Sequence, residues 1–86
     1  MDEHLLKQWK ALEGLLEAAA SEISDSDDYV EYKNYVDHNE FELALDVLED
    51  AGKTKNMSSQ YWLNLMEAAK IMRLFDRYAA LRSKCL

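Results

Sequence analysis

Apolar residues recur along this chain at helical spacing. Leu5, Trp9, Leu12, Leu16, Ala19 and Ile23 are separated by four, three, four, three and four positions. That spacing draws one continuous stripe on an α-helix from about residue 2 to residue 24. Asp2 and Glu3 stand at its start, where the helix dipole favours negative charge. Gly14, inside it, costs up to roughly 1 kcal/mol relative to alanine. Either it admits a close neighbour or it is merely tolerated. Ser24-Asp25-Ser26-Asp27-Asp28 is the first break, because short polar side chains compete for backbone hydrogen bonds and suit loops and caps. A second helix is expected over about 27–37, with Tyr29, Tyr32 and Val36 on one face and Tyr35 beside them.

Asp37-His38-Asn39 is the next break. Asp37 with Glu40, and Asn39 with Glu42, both have capping-box spacing. A third helix follows over about 40–51, with Phe41, Ala44, Leu45 and Leu48 at i, i+3, i+4 and i+7. Glu42, Asp46, Glu49 and Asp50 fall on its opposite arc, spanning about 100° at 100° per residue. The arc is expected to be continuous and to face away from the core. Gly52 supplies the C-terminal stop, and Lys53-Thr54-Lys55-Asn56 forms a loop. The last segment opens at Ser58 or Ser59, either able to act as N-cap. Trp62, Leu65, Ala69 and Met72 form its stripe, which drifts afterwards to Leu74, Tyr78 and Leu81. Either one long helix turns its buried face, or the chain breaks near 72–75 and makes a fifth helix. No segment sustains a period of two, and no repeat or low-complexity tract is visible. The expected fold is all-α, a compact bundle of four or five short helices in a single domain over residues 1–86.

Composition supports that reading. There are no prolines and two glycines among 86 residues, so helix breakers are scarce. Hydrophobic residues make up 49% of the chain, with five Tyr, two Trp and two Phe, which is too much for a disordered segment. The sequence pI of about 4.7 argues against direct binding of nucleic acid, which needs a basic face. No apolar run approaches a membrane span. The N-terminal Met-Asp-Glu-His carries acids where a secretory signal carries bases, and the lone Cys85 sits beside the C-terminus. Both fit a reducing cytoplasm.

Charge changes the picture most. Residues 1–50 hold fifteen acids and three bases, a balance of −12, whereas residues 51–86 hold two acids and seven bases, a balance of +5. Between Glu22 and Asp50 eleven acids meet one base, Lys33. A solvated surface ordinarily mixes both signs, and such crowding repels itself. The pattern points to a surface made for a cationic partner. The expected partner-binding residues are Asp27, Asp28, Tyr29, Glu31, Tyr35, Asp37, Glu42, Asp46, Glu49 and Asp50. Three tyrosines at i, i+3 and i+6 do not all fit one buried stripe, so Tyr29 or Tyr35 should stand partly exposed as an interface anchor beside the acids. Arg73, Arg77, Arg82 and Lys84 complement the dipole of the last helix, pair with acids elsewhere in the bundle, or do both.

Candidate chemistry is thin. Asp25-Ser26-Asp27-Asp28 has the opening of a calcium loop, yet Val30 and Val36 stand where an EF-hand needs glycine and glutamate. His38 lies between Asp37 and Glu40, but no nucleophile or oxyanion donor accompanies it, and a turn role fits it better. His4, His38 and Cys85 do not complete a zinc set. No catalytic residues, cofactor or metal are expected, and the chain reads as a non-enzyme.

The run Tyr35-Val36-Asp37-His38-Asn39-Glu40-Phe41-Glu42-Leu43-Ala44-Leu45-Asp46 resembles the MafI-type immunity proteins of bacterial polymorphic toxin systems. Related small helical immunity proteins occur in contact-dependent growth inhibition loci. The likeness is sharpest over about these twelve residues. It extends loosely to the order of segments: a leading helix, the motif hairpin, then a Trp-bearing helix with Glu67-Ala68-Ala69. The chain departs from it at Met72-Arg73-Leu74, where a glycine-containing turn would be expected. The resemblance implies a cytoplasmic protein that binds the toxic domain of a large secreted effector, often a nuclease. It also implies that Asp37, Asn39 and Glu40 shape the turn while Phe41, Ala44 and Leu45 pack. A nuclease cleft must attract phosphate and is therefore basic, so charge complementarity would hold an acidic inhibitor there. Active-site blockage and exosite binding both remain open. The expected state before binding is a monomer. A helical adaptor that binds an amphipathic segment, without inhibiting a toxin, is the other function class the residues allow.

Overall fold

The computed structural model describes the backbone of residues 3–85 and the side chains of residues 7–84. Five α-helices follow one another: α1 (Glu3–Ala20), α2 (Asp27–Asp37), α3 (Phe41–Thr54), α4 (Ser59–Ile71) and α5 (Phe75–Cys85). A 3-10 turn, Ser21–Ile23, extends α1, and no strand occurs among the described residues. The fold is the expected all-α bundle, and the chain breaks at 72–74 to give the fifth helix. Expectations for Asp2 and for the side chains of Glu3, His4, Leu5 and Cys85 lie outside the described residues.

The stripes read from the sequence largely become the core. Leu12, Leu16, Ala19 and Ile23 are buried, as are Ala44, Leu45 and Leu48 of α3 and Leu65 and Ala69 of α4. Burial of such side chains contributes about 1.5–3 kcal/mol each for the larger ones. Trp9 departs from its stripe and is 49% exposed. The sequence stripe overlooked Tyr61, which is fully buried and donates its hydroxyl to the Leu48 carbonyl oxygen. Burial raises the Tyr61 pKa, with Glu22 adding to the effect, so the hydroxyl stays a donor.

Both glycines differ from the simplest reading. A Cβ on Gly14 would meet nothing within 4 Å, so that position is tolerated rather than a site of close approach. Gly52 does not stop α3, which runs on to Thr54. It is buried, and a Cβ there would lie 2.5 Å from Trp62 Cη2. Its role is therefore to let α4's indole lie on the α3 backbone.

Caps also differ from expectation. Neither capping box forms: Glu40 is the N-cap of α3 without a side-chain bond. His38 caps the end of α2, with its Nδ1 2.7 Å from the Asn34 carbonyl oxygen. Ser58 does cap α4, its Oγ accepting from the Tyr61 N–H at 3.2 Å. Glu22 reinforces that cap across the fold, accepting from the Ser58 hydroxyl at 2.6 Å and its N–H at 3.3 Å.

A repeat invisible in the sequence emerges in the backbone. The α2–α3 and α4–α5 turns share three backbone hydrogen bonds, displaced by 34 residues. Glu40 N–H bonds to Tyr35 O at 2.8 Å, and Leu74 N–H to Ala69 O at 2.9 Å. Asn39 N–H bonds to Val36 O, and Arg73 N–H to Lys70 O. Ala44 N–H reaches Glu40 O, and Tyr78 N–H reaches Leu74 O. Asn39 and Arg73 are the matching left-handed residues, with φ of 59° and 60°. Each turn is thus a helix C-terminus closed through a left-handed residue, and the expected glycine at the second is replaced by Arg73. The spacing is that of helix–turn–helix arrays. In such arrays neighbouring hairpins stack, whereas here α1 packs along α4 and the hairpins meet through α3 and α4.

Candidate partner interface

Helix α2 begins after Ser26 with Asp27 and Asp28 in its first turn, where the dipole favours them. Its inner face carries Tyr32, fully buried, with Tyr29, Tyr35 and Val36 half-buried. The tyrosines are thus divided as the spacing required. Tyr29 and Tyr32 both donate to Glu17 of α1, each at 3.0 Å and each to a different carboxylate oxygen. Their rings lie 5.7 Å apart, tilted by 43°. The bond to Glu17 raises the Tyr29 pKa; burial, then the same bond, raises that of Tyr32. Both hydroxyls therefore remain protonated and pin α2 to α1. Glu17 went unnoticed in the sequence because its partners are twelve and fifteen positions away.

The outer face of α2 is made by Asp27, Val30, Glu31, Asn34, Asp37 and His38, all exposed. These positions share one side of a helix. Val30, 69% exposed, is an apolar residue in the middle of this acidic face. Its position off the tyrosine stripe was the available signal for it. Asp27, Glu31 and Asp37 have no ion pair among the described residues, nor do Asp25 before the helix and Glu40 and Glu42 after it.

The acids of α3 meet a different fate. Asp46 and Glu49 do not face away from the core as expected; both are half-buried against α5. The Arg77 guanidinium pairs with Asp46 and brings its Nε to 3.9 Å from Glu49. Arg77 Nη1 also lies 3.5 Å from the Glu42 carbonyl oxygen. Burial, more than any neighbouring charge, raises the Glu49 pKa, so the long contact with Arg77 does not offset its desolvation. Asp50 lies 3.6 Å from Lys53, both well exposed, and Asp28 lies 3.9 Å from Lys55. Contacts so open and long contribute little to stability. The expected continuous arc is therefore interrupted: Glu42 and Asp50, its first and last acids along the helix, are exposed, while Asp46 and Glu49 between them face Arg77 of α5. The physical reason is that α5, folding back through the Arg73 turn, brings a cation against residues that look solvated when α3 is considered alone.

A groove of about 280 Å³ separates α3 from α5, with Trp62 and Leu81 at its base. Lys84 lies over the Trp62 ring at 5.0 Å. Among the described residues, no three His, Cys, Asp or Glu side chains gather as a metal-ligand set. No described helix is long and apolar enough to cross a membrane.

Fold and surface together define a class, a five-helix bundle whose second helix carries exposed acids that are unpaired among the described residues. Neither a protein-family model, nor a curated protein, nor a solved structure matches the chain.

Proposed function

We propose that this chain is an immunity protein that binds and neutralises a cognate toxin domain, a basic nuclease, in the cytoplasm of the bacterium that makes both. The observation that carries the reading is the outer face of α2, where Asp27, Glu31 and Asp37 stand exposed and unpaired around Val30. The twelve-residue likeness of the α2–α3 hairpin to MafI-type immunity proteins supports the toxin as the partner.

The mechanism is electrostatic capture followed by apolar docking. Unpaired carboxylates on a rigid helix attract a cationic surface over about a Debye length, roughly 8–10 Å at moderate ionic strength. They raise the association rate and reject acidic surfaces. Val30, with the partly exposed rings of Tyr29 and Tyr35 at the border of the face, supplies area that can be desolvated. Because Glu17 holds two of the tyrosines, the face is ordered before the partner arrives, which lowers the entropy cost of binding. Occupation of a nuclease's phosphate-binding surface would then exclude nucleic acid.

Co-expression with the protein domain encoded immediately upstream tests the reading. The expected outcome is a one-to-one complex that loosens as salt rises, together with relief of that domain's toxicity. Absence of any complex at low ionic strength overturns it. A complex indifferent to salt would instead assign the chain to the helical adaptors.

A further inference from the structure

The two matching turns lie side by side at one end of the bundle. Between them is an open depression of about 480 Å³ lined by Asn39, Glu40, Phe41, Leu43, Met72 and Leu74. A second depression, of about 320 Å³, adjoins it through Glu42 and Leu74 and is lined by Phe75. Phe75 is 61% exposed and Leu43 42%, two of the five large apolar side chains that stand exposed among the described residues. Phe41, Met72 and Leu74 are half-buried beneath them. The 34-residue displacement explains the gathering. Phe41 and Phe75 occupy the same position after their left-handed residues, so the repeated turn delivers two aromatics to one edge.

The rim of this edge is acidic. Glu40, Glu42 and Asp76 have no ion pair among the described residues, whereas the Arg77 guanidinium is held by Asp46. Arg73 is the one unpaired cation on the same rim, which leaves three carboxylates against one guanidinium. Asp37 and His38 connect the edge directly to the outer face of α2.

We propose that this edge receives one large apolar side chain of the partner protein, from a segment in which lysine or arginine flanks that side chain. The apolar floor would desolvate the anchor, and Glu40, Glu42 and Asp76 would meet the flanking cations. An aromatic or aliphatic anchor in a pocket with a charged rim is the usual source of binding energy at an interface. The inference rests on reading the chain as a partner-binding protein and adds a second, apolar contact to the α2 face.

A random peptide library displayed on phage, selected against the intact protein, provides the probe. Selected peptides are expected to carry Trp, Phe, Leu or Met next to Lys or Arg. A synthetic copy should shift the amide resonances of residues 39–43 and 72–76. Leu43→Ser and Phe75→Ser alter exposed positions and should retain the wild-type helical circular dichroism. Each should weaken the peptide at least about tenfold. Peptides that lack the pattern, that perturb resonances elsewhere, or that bind both serine variants unchanged overturn the proposal. The upstream-encoded domain separates this inference from the broader one. If that domain binds Leu43→Ser and Phe75→Ser as tightly as wild type, the apolar anchor fails while the immunity reading stands. If it binds no form of the protein, the immunity reading fails, and the peptide map alone decides the edge.

Discussion

Helices α2 and α3 carry similar acidic patterns and use them differently. On α2, Asp27, Glu31 and Asp37 face solvent without a cation. On α3, Asp46 and Glu49 turn towards Arg77 of α5. A carboxylate stripe on a helix wheel is thus ambiguous, because its role depends on what the next layer of the bundle brings within about 4 Å. Here Arg77 of α5 reaches α3, whereas among the described residues no cation pairs with Asp27, Glu31 or Asp37 of α2. Asp46 is tied to the fold through Arg77 and Glu49 is desolvated beside it, whereas Asp27, Glu31 and Asp37 of α2 stay solvated. An ordered helix face of solvated like charges is one on which electrostatic binding can act.

The largest expected effect sharpens the internal half of this comparison. Gly52→Ala places a Cβ where the Trp62 indole lies, so α3 and α4 must separate or the indole must shift. A loss of about 1–3 kcal/mol is expected by chemical denaturation; unchanged stability would mean that the α3–α4 contact is looser than described. Next, Arg77→Gln leaves Asp46 and Glu49 half-buried without their cation. Because both side chains keep some solvent contact, a loss of about 1–2 kcal/mol is expected, below that of a fully buried pair. A loss no larger than that of a surface charge would return the α3 acids to the solvated class.

Glu49 provides a pH test of the same region. Its folded pKa is raised, so the native state holds more protons than the unfolded state between the two values. Stability contributed by this group therefore falls as pH rises through that window. Relative to wild type, Glu49→Gln should gain stability at neutral pH, with the gain shrinking as the pH is lowered through the carboxylate range. A gain that grows on acidification would contradict the burial assigned to Glu49. The smallest expected change lies on α2. Asp27→Asn with Glu31→Gln should shift stability by no more than about 0.5 kcal/mol, because relief of repulsion opposes loss of the favourable contact between Asp27 and the helix dipole. A loss beyond that would reveal a structural role for the α2 acids and weaken the contrast.

Much of the architecture was legible from local pattern. The apolar stripes located α1 to α4 to within a few residues, and Ser58 was one of two adjacent serines recognisable as caps because capping acts over three positions. The division of Tyr29, Tyr32 and Tyr35 between core and boundary followed from helix geometry alone. The features that escaped depend on tertiary neighbours or on unusual backbone. Arg73 adopts a left-handed conformation that glycine or asparagine would have signalled. Arg77 reaches Asp46 across 31 positions, and Glu22 reaches Ser58 across 36. Gly52 looked like a stop because a glycine needed for close packing and one needed for a turn are the same letter. The matched turns were hidden because their hydrogen bonds are backbone to backbone and constrain the side chains little. For the candidate interface, the α2 acids were proposed from charge alone, while the pairing of Asp46 and Glu49 with Arg77 required the position of α5.

The most direct test of the central claim is the association rate with the upstream-encoded domain, measured across ionic strengths for two double variants. Asp27→Lys with Glu31→Lys is expected to slow association about tenfold or more at low salt and to flatten its salt dependence. Asp46→Asn with Glu49→Gln, although differently responsive to pH, is expected to associate at nearly the wild-type rate. Equal rates for wild type and the α2 variant, or a larger loss in the α3 variant, would contradict the claim.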